Sequence, residues 1–346
     1  MKAYQLRGIG DLVREETEKP ALKPGWVLVQ VKAAGICSSD IPRIFQNGTY
    51  HFPTIPGHEF SGIVVETADP QDRELLGKRV GVFPLIPCRK CGACQKKQYE
   101  LCEYYDYLGS RRDGGFAEYA AVPAWNLVEL PENVSYRKAA MLEPLSVALH
   151  AVKRGEIRSG DTVAVIGSGM IGFAAAQWAK SMGAKSVCVI GRSEEKKKIA
   201  DRIPGISYLI QKEMEELPLF DCVIEAVGSK EAVETALSIV NPGGRVVLMG
   251  NPKSDISLKQ AVYWRILRKQ ISVTGTWNSS YEKDAKCDWS EAVEAMASGE
   301  IDVACLISHC YPAERLMEGL ELMRTKQEPY CKVMIEWDQE EEKGLR

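Results

Sequence analysis

Residues 162–179 read TVAVIGSGMIGFAAAQWA, an apolar run that three glycines interrupt. The apolar residues 162–166 predict a buried strand, and residues 170–182 predict the helix that follows it. The turn between them has the spacing GxGxxG and consists of Gly167, Ser168, Gly169, Met170, Ile171 and Gly172. Between a strand and a helix, this spacing makes a tight turn, lets a pyrophosphate approach the backbone and packs the helix against the strand. The segment therefore predicts a dinucleotide-binding turn.

Strands and helices continue to alternate from this turn to about residue 275. We predict strands at residues 162–166, 186–190, 221–226, 245–249 and 271–274, and helices at residues 170–182, 193–202, 213–217 and 230–240. Such alternation is typical of βαβ units around a parallel sheet. We expect this α/β domain to span residues 146–276.

The rest of the chain has a different texture. Residues 1–145 contain β-rich runs such as 26–33, 61–66 and 79–83, separated by Gly and Pro, which predicts a mostly antiparallel, barrel-like domain. Residues 277–346 do not continue the alternation, so we expect them to complete the first domain. The 346 residues also exceed the size at which single cores stop growing, about 250–300 residues, which supports two domains.

The charge and the hydrophobicity of the chain argue against nucleic-acid and membrane partners. The chain has 44 Lys and Arg against 47 Asp and Glu, and this near balance argues against nucleic acid, whose phosphates require a basic excess. The uncharged stretch 162–179 is close to the minimum for a membrane span, but its glycines and Gln177 fit a soluble strand and helix better. Because no targeting pattern is seen, we expect a cytoplasmic protein without a membrane partner.

The sequence after the second predicted strand bears on the choice of dinucleotide. Position 191 lies 19 residues after Gly172, where an acidic residue would bind the ribose 2′-hydroxyl of NAD, but the chain reads Gly191-Arg192-Ser193. Without the carboxylate there is space for a 2′-phosphate, which Arg192 can contact through a charge-assisted bond. We therefore expect a preference for NADP(H). If Arg192 is only solvated, both NADP(H) and NAD(H) would be used.

Four cysteines lie close together in the first domain, namely Cys88, Cys91, Cys94 and Cys102. Four thiolates at about 2.3 Å complete a tetrahedron and leave no position for substrate. The cluster therefore predicts a structural zinc site. The alternative is a set of free buried cysteines, which seldom cluster in this way.

Three other segments offer the ligands of a more open site. Cys37 and Ser39 lie in the sequence GICSSD, His58 and Glu59 lie in GHE, and Glu143 lies in LEP. One Cys, one His and one Glu, with water or substrate in the fourth position, would make a catalytic zinc site. The alternatives are a structural His58 and a Glu143 that only begins a helix.

Taken together, the GxCxSD segment, GHE, the four-cysteine lobe and GxGxxG resemble the zinc-dependent medium-chain alcohol and polyol dehydrogenases. The order and spacing of these motifs cover essentially the whole chain. The resemblance implies a GroES-like catalytic domain with a Rossmann-fold domain, two zinc ions per subunit, and a homodimer or homotetramer. It also implies that Cys37, His58 and Glu143 bind the catalytic zinc, with Glu59 as the substitute carboxylate. Ser39 would accept the proton of the substrate hydroxyl.

Residues 41–48, 108–119, 266–269 and 275–277 resemble the branch that oxidises galactitol 1-phosphate to tagatose 6-phosphate with NAD. This resemblance implies a sugar-alcohol phosphate as the substrate, and the candidates for binding its phosphate are Arg43, Arg111 and Arg112. The chain departs from the branch at Gly191-Arg192. The alternatives are an unphosphorylated polyol, D-arabitol phosphate, or a protein that binds NADPH as a sensor or structural component without catalysis.

Overall fold

The computed structural model describes residues 1–213 and 217–337. Its strands are β1 (Lys2–Gly8), β2 (Asp11–Glu16), β3 (Trp26–Ile36), β4 (Glu59–Thr67), β5 (Arg79–Val82), β6 (Leu85–Ile86), β7 (Asp106–Tyr107), β8 (Tyr119–Pro123), β9 (Leu127–Glu129), β10 (Thr162–Ile166), β11 (Ser186–Gly191), β12 (Ile206–Ile210), β13 (Phe220–Glu225), β14 (Val240–Leu248), β15 (Ser272–Gly275), β16 (Ile307–Pro312) and β17 (Lys332–Glu336).

Its α-helices are α1 (Asp40–Pro42), α2 (Gly92–Gln95), α3 (Tyr136–Ala139), α4 (Leu142–Arg154), α5 (Met170–Ser181), α6 (Glu194–Ala200), α7 (Lys230–Ile239), α8 (Gln260–Lys269), α9 (Asp288–Ser298) and α10 (Leu316–Thr325). A π-helical turn spans Arg43–Asn47, and short 3-10 turns span Pro70–Leu75, Tyr99–Leu101, Ala124–Asn126, Gln211–Glu213, Ala304–Leu306 and Ala313–Arg315. No helix in the described ranges is long and apolar enough to cross a membrane.

The described chain divides into two compact units. The first contains Met1–Glu143, Ser280–Ala297 and the described residues from Ile307 onward, and the second contains Pro144–Ser279 and Ser298–Leu306. This division differs from the predicted one mainly at residues 298–306, which the sequence assigns to the first domain and the structure to the second. The cause is a local contact, because the Gln177 side chain donates to Asp302 O (3.0 Å) and accepts from the Asp302 N–H (2.9 Å).

The second unit is built on a six-stranded sheet in the order β12-β11-β10-β13-β14-β15, and all of its strand pairs are parallel. This is the order of a doubly wound dinucleotide-binding sheet, so the predicted Rossmann fold is confirmed. The strand order reverses between β10 and β13. Ligands of such sheets bind beyond the carboxyl ends of the strands at this reversal, which is where the glycine-rich turn lies.

Three strands or helices in the described part of this unit were not predicted, and one of them is helix α4, most of which lies in it. Strand β12 forms the sheet edge beside β11, and helix α8 follows the β14 strand. Part of the helix predicted at residues 213–217 falls on residues 214–216, which lie outside the described residues.

The first unit contains a seven-stranded sheet in which β3 is central. Its path runs β16-β17-β3-β4-β5-β9, with β8 also paired to β3. Every pair is antiparallel except β16 with β17. Strand β3 is buried along almost its whole length because it is covered on both faces. The predicted GroES-like, mostly antiparallel domain is confirmed.

An aromatic cluster packs residues from the C-terminal half against the first unit. Trp289 is 1% exposed, and its ring centroid lies 5.4 Å from that of Phe83. The Tyr281 ring is tilted by 32° to that of Phe83 with centroids 4.6 Å apart, and its hydroxyl donates to Trp125 O at 2.8 Å. Since these rings remove large apolar areas from water, the cluster explains why residues 280–297 belong to this unit.

We predict that Trp289→Ala lowers the free energy of unfolding by about 3–5 kcal/mol, because it leaves a cavity in this cluster. Urea unfolding followed by circular dichroism measures the change. The matched control is Trp277→Ala, which truncates a tryptophan that is 54% exposed and should cost less than about 1 kcal/mol. Equal losses in the two variants would contradict the prediction.

Candidate metal and cofactor sites

The sheet of the first unit brings three predicted ligands together. Cys37 directly follows β3, and Glu59 begins β4 opposite Gly35 in the antiparallel register. One ligand atom from each of Cys37, His58 and Glu59 lies within 4.8 Å of the other two. A thiolate, an imidazole and a carboxylate at this separation fit a zinc site that keeps one position open.

Gly35 makes room for this group. A side chain at position 35 would overlap Glu59 Oε2, so the pairing of β3 with β4 can bury the carboxylate only when residue 35 is glycine. The glycine of the GxCxSD segment therefore has a steric role that its position in the motif did not reveal.

His58 is held by a buried acid to which the sequence analysis gave no role. Asp40 is fully buried, and its Oδ1 lies 3.4 Å from His58 Nδ1 and 2.8 Å from Arg43 Nη1. Its Oδ2 accepts the backbone N–H of Cys37 at 2.9 Å. Burial alone would raise the pKa of Asp40, but His58, Arg43 and this N–H outweigh it and lower the pKa. Asp40 thus links the two ligand segments: it accepts from the Cys37 backbone and lies within ion-pair distance of the His58 ring.

Lys332 neutralises Glu59. Its Nζ forms a buried ion pair with Glu59 Oε2 and also donates to Ile36 O at 3.2 Å. Burial would lower the pKa of Lys332, but the Glu59 carboxylate outweighs it and raises the pKa. Glu59 Oε1 has no hydrogen-bond partner within the described residues, so it remains free to bind a cation.

Glu143 lies outside the 4.8 Å group in the described structure. Its Oε1 accepts the Tyr107 hydroxyl at 3.2 Å, and the Tyr107 ring lies 5.7 Å from the His58 ring. Burial raises the pKa of Glu143 to about 7. The Glu59 charge also raises this pKa, and His58 lowers it. Glu59 is therefore the carboxylate that the fold places with Cys37 and His58, and Glu143 is the more distant carboxylate. Ser39 is exposed, and its N–H lies 3.5 Å from Cys37 Sγ.

The four cysteines of the lobe form a second group. Cys88 Sγ lies 3.9 Å from Cys94 Sγ, and Cys91 Sγ lies 3.9 Å from Cys102 Sγ. A tetrahedron with zinc–sulfur bonds of about 2.3 Å has edges of about 3.8 Å, so the spacing fits zinc. Backbone N–H groups of Cys94 and Glu103 lower the pKa of Cys91 to about 6, whereas burial raises the pKa of Cys94 and of Cys102. A metal that binds all four would displace the protons of these two thiols.

The glycine-rich turn lies between β10 and α5, as predicted. Gly167 has φ +116°, a conformation that L-residues avoid. A side chain at Gly172 would overlap the Gly167 carbonyl, whereas the space around Gly169 is open. The turn therefore combines close helix–strand packing with an exposed backbone, which fits an approaching pyrophosphate. Ser168, Met170 and Ile171 complete it, and Arg192 is exposed beyond β11.

The three arginines predicted to bind phosphate have different neighbours. Arg43 is paired with Asp40, and Arg112 is paired with Asp106 at 2.6 Å. Arg111 lies between the rings of Tyr50 and Tyr105, 4.4 Å from each centroid. Within the described residues no carboxylate forms an ion pair with Arg111, so it is the candidate whose charge is not neutralised.

Comparisons with known proteins agree with this geometry. Residues 23–132 match the alcohol dehydrogenase GroES-like domain, and residues 171–298 match the zinc-binding dehydrogenase family. Galactitol 1-phosphate 5-dehydrogenase of Escherichia coli strain K12 is 35% identical over 292 residues, covering 82% of this chain and 84% of the relative. The chain belongs to the zinc-binding alcohol dehydrogenase family.

Solved structures of this dehydrogenase family have the same fold. The crystal structure of galactitol-1-phosphate dehydrogenase from Escherichia coli is 33% identical with a TM-score of 0.89, covering 97% of this chain and 99% of the other. A zinc-binding dehydrogenase from Sinorhizobium meliloti 1021, solved with NADP, is 27% identical with a TM-score of 0.88, covering 97% and 98%. The predicted oxidoreductase class, with zinc and a nicotinamide dinucleotide as cofactors, is confirmed. The individual ligand assignments remain predictions.

We predict that the purified dehydrogenase contains two zinc ions per chain. The variants Cys91→Ser and Cys37→Ser should each contain one zinc ion per chain. Only Cys91→Ser should lower the Tm, by roughly 5 °C or more. The four-cysteine site is closed and contributes to folding, whereas the open site is expected to contribute less. Elemental analysis by plasma mass spectrometry and differential scanning fluorimetry measure both effects.

The exposed Cys310 provides the control. Cys310→Ser should keep both zinc ions and the wild-type Tm. Retention of two zinc ions by Cys91→Ser would show that the lobe is not a zinc site.

Proposed function

We propose that this dehydrogenase oxidises the secondary alcohol of a sugar-alcohol phosphate, converting galactitol 1-phosphate to tagatose 6-phosphate, with NADP⁺ in preference to NAD⁺. The observation that carries the proposal is Arg111, a cation without an acidic partner among the described residues, in the same unit as the Cys37, His58 and Glu59 group. The similarity to galactitol 1-phosphate 5-dehydrogenase supports the same substrate.

Cys37, His58 and Glu59 would hold the catalytic zinc, with Glu143 as the alternative carboxylate ligand. When bound, zinc supplies a Lewis acid that lowers the pKa of a coordinated alcohol, and the nicotinamide supplies a hydride acceptor. Asp40 keeps the His58 ring in place through its contact with Nδ1. Lys332 compensates the Glu59 charge, so that the thiolate and carboxylate do not accumulate two uncompensated negative charges.

The proton of the substrate hydroxyl needs an acceptor. Ser39 is exposed and two residues from the Cys37 thiolate, so it can pass this proton to water. Burial raises the pKa of Glu143, so that, when it does not bind zinc, it would be a second group able to hold a proton.

A phosphate on the substrate requires a cation at a distance from the reacting carbon. Aromatic contacts connect Arg111 to the metal group, by which we mean Cys37, His58 and Glu59. Arg111 stacks on Tyr105, and the Tyr105 ring lies 6.1 Å from the Tyr107 ring. The Tyr107 ring in turn lies 5.7 Å from the His58 ring. Tyr50 also orients the guanidinium, because Arg111 Nη2 donates to its hydroxyl at 3.2 Å. Arg111 is thus positioned by neutral groups and keeps its charge for an anion.

We predict that the zinc-loaded enzyme reduces NADP⁺ much faster with galactitol 1-phosphate than with galactitol, and that Arg111→Ala removes this preference. Losing a charge-assisted hydrogen bond should raise KM for the phosphate ester about tenfold or more, with little change for the free polyol. Initial rates at 340 nm for both substrates, with NADP⁺ and with NAD⁺, give the comparison.

Arg112→Ala is the matched control, because Arg112 is neutralised by Asp106 and should change neither KM appreciably. Equal wild-type rates on galactitol and galactitol 1-phosphate would indicate that the substrate is an unphosphorylated polyol. A faster rate on D-arabitol phosphate than on galactitol 1-phosphate would indicate that D-arabitol phosphate is the substrate. An equal effect of Arg111→Ala on both substrates would remove Arg111 from the phosphate site.

We also propose that the enzyme is a homodimer, with a homotetramer as the alternative. Strand β15 is the edge of the six-stranded sheet, and Val273 on this strand is 41% exposed. The preceding helix α8 exposes Tyr263 and Leu267, at 53% and 59%. An exposed strand edge next to apolar side chains fits pairing with a second copy around a two-fold axis.

We predict that Leu267→Glu shifts the enzyme from dimer to monomer, because it places two charges in the proposed interface. Light scattering coupled to size-exclusion chromatography measures the mass. Leu219→Glu, which changes another exposed leucine of the same unit (49% exposed), should leave the mass unchanged. A monomeric wild-type enzyme would contradict the proposal.

A further inference from the structure

A tyrosine from the unpredicted strand β12 occupies the position that would normally hold the ribose-binding acid. In the parallel register, Tyr208 lies opposite Val189, and Ile210 lies opposite Gly191. Two residues paired across neighbouring strands have side chains on the same face of the sheet, and so does the residue two positions later on either strand. Tyr208 and position 191 therefore share a face, and the tyrosine side chain extends along the strand toward Gly191.

The Tyr208 hydroxyl is fixed by groups around the cofactor turn. It lies 3.3 Å from Ser168 Oγ in the glycine-rich turn and donates to Ser193 O at 3.1 Å. Its ring stacks on Phe173 of α5, with centroids 6.5 Å apart and an interplanar angle of 24°. Only 9% of the residue is exposed. The hydroxyl thus connects the turn that would receive the pyrophosphate to the segment that follows β11.

This placement excludes a side chain at position 191. A Cβ on Gly191 would overlap the Tyr208 hydroxyl and would lie 2.8 Å from Ser168 Oγ. An aspartate or glutamate, the residue that binds the ribose diol of NAD at this position, therefore does not fit while Tyr208 is present. The packing of Tyr208 against position 191 therefore excludes the carboxylate that the sequence lacks there.

We propose that Tyr208 determines the cofactor specificity of this dehydrogenase. Its hydroxyl occupies the place of the acid, so that no carboxylate repels the 2′-phosphate of NADP(H). By turning its one proton from Ser193 O toward the cofactor, the hydroxyl would donate to that phosphate. Arg192, exposed next to Gly191, would supply the positive charge. This inference rests on the proposed NADP(H) preference and explains how the fold would produce it.

The first experiment removes the hydroxyl and keeps the ring. Binding of NADPH and NADH to the zinc-loaded enzyme is measured by quenching of tryptophan fluorescence, which does not depend on turnover. Tyr208→Phe should weaken NADPH binding about tenfold, the effect of losing a hydrogen bond to a charged group, and change the Kd for NADH less than about twofold. Ser207→Ala, which removes the hydroxyl that donates to Val187 O on the neighbouring strand, should leave the ratio of the two Kd values unchanged.

The second experiment tests the steric exclusion. Gly191→Asp alone should weaken the binding of both dinucleotides, because the new side chain collides with Tyr208. Combining Gly191→Asp with Tyr208→Ala should bind NADH at least about tenfold more tightly than Gly191→Asp alone, since the space for the carboxylate is restored. Equal NADH affinity in the single and double variants would overturn the inference.

The failures of the two proposals can be distinguished. A wild-type enzyme that binds NADPH more tightly, with a Kd ratio that Tyr208→Phe does not change, would overturn the role of Tyr208 and leave the NADP(H) preference intact. A wild-type enzyme that binds NADH more tightly would overturn both the preference and the proposed contact with the 2′-phosphate.

Discussion

The metal group of the first unit depends on the burial of one carboxylate. Glu59 is 1% exposed, and a buried negative charge next to a thiolate is costly unless a cation compensates it. Lys332 supplies that cation from β17, and the pairing of β17 with β3 places it there. The group of Cys37, His58 and Glu59 therefore depends on the pairing of β17 with β3, which brings Lys332 to the Glu59 carboxylate.

Both units also depend on glycines at points where another group of the chain approaches the backbone closely. Gly35 leaves space for the Glu59 carboxylate, Gly172 lets α5 pack on the Gly167 carbonyl, and Gly191 leaves space for the Tyr208 hydroxyl. In each case a Cβ would occupy volume that a functional group uses. Glycine is thus needed at all three positions for the same reason, because each close approach requires the absence of a side chain.

The sequence predicted what depends on local spacing. The glycine-rich turn, five of the six strands of the parallel sheet and the grouping of the four cysteines each follow from short local patterns. Strand β12 did not follow from its pattern. Lys332 was missed because it is 273 residues from Glu59, and no spacing rule covers that distance. Helix α8 was also missed, although its sequence is amphipathic; in the structure its apolar residues Tyr263, Trp264 and Leu267 are exposed.

Charge compensation separates the structural cations from those available to ligands. Arg43 and Lys332 each face a buried acid, so their charges are used to hold Asp40 and Glu59 in place. Arg111 is held instead by aromatic rings and by neutral oxygen atoms, Tyr105 O at 2.8 Å and the Tyr50 hydroxyl. Stacking fixes a guanidinium without neutralising it. A cation that is fixed but not neutralised attracts an anion without the cost of breaking an existing ion pair, which is the property that binding of a substrate phosphate requires.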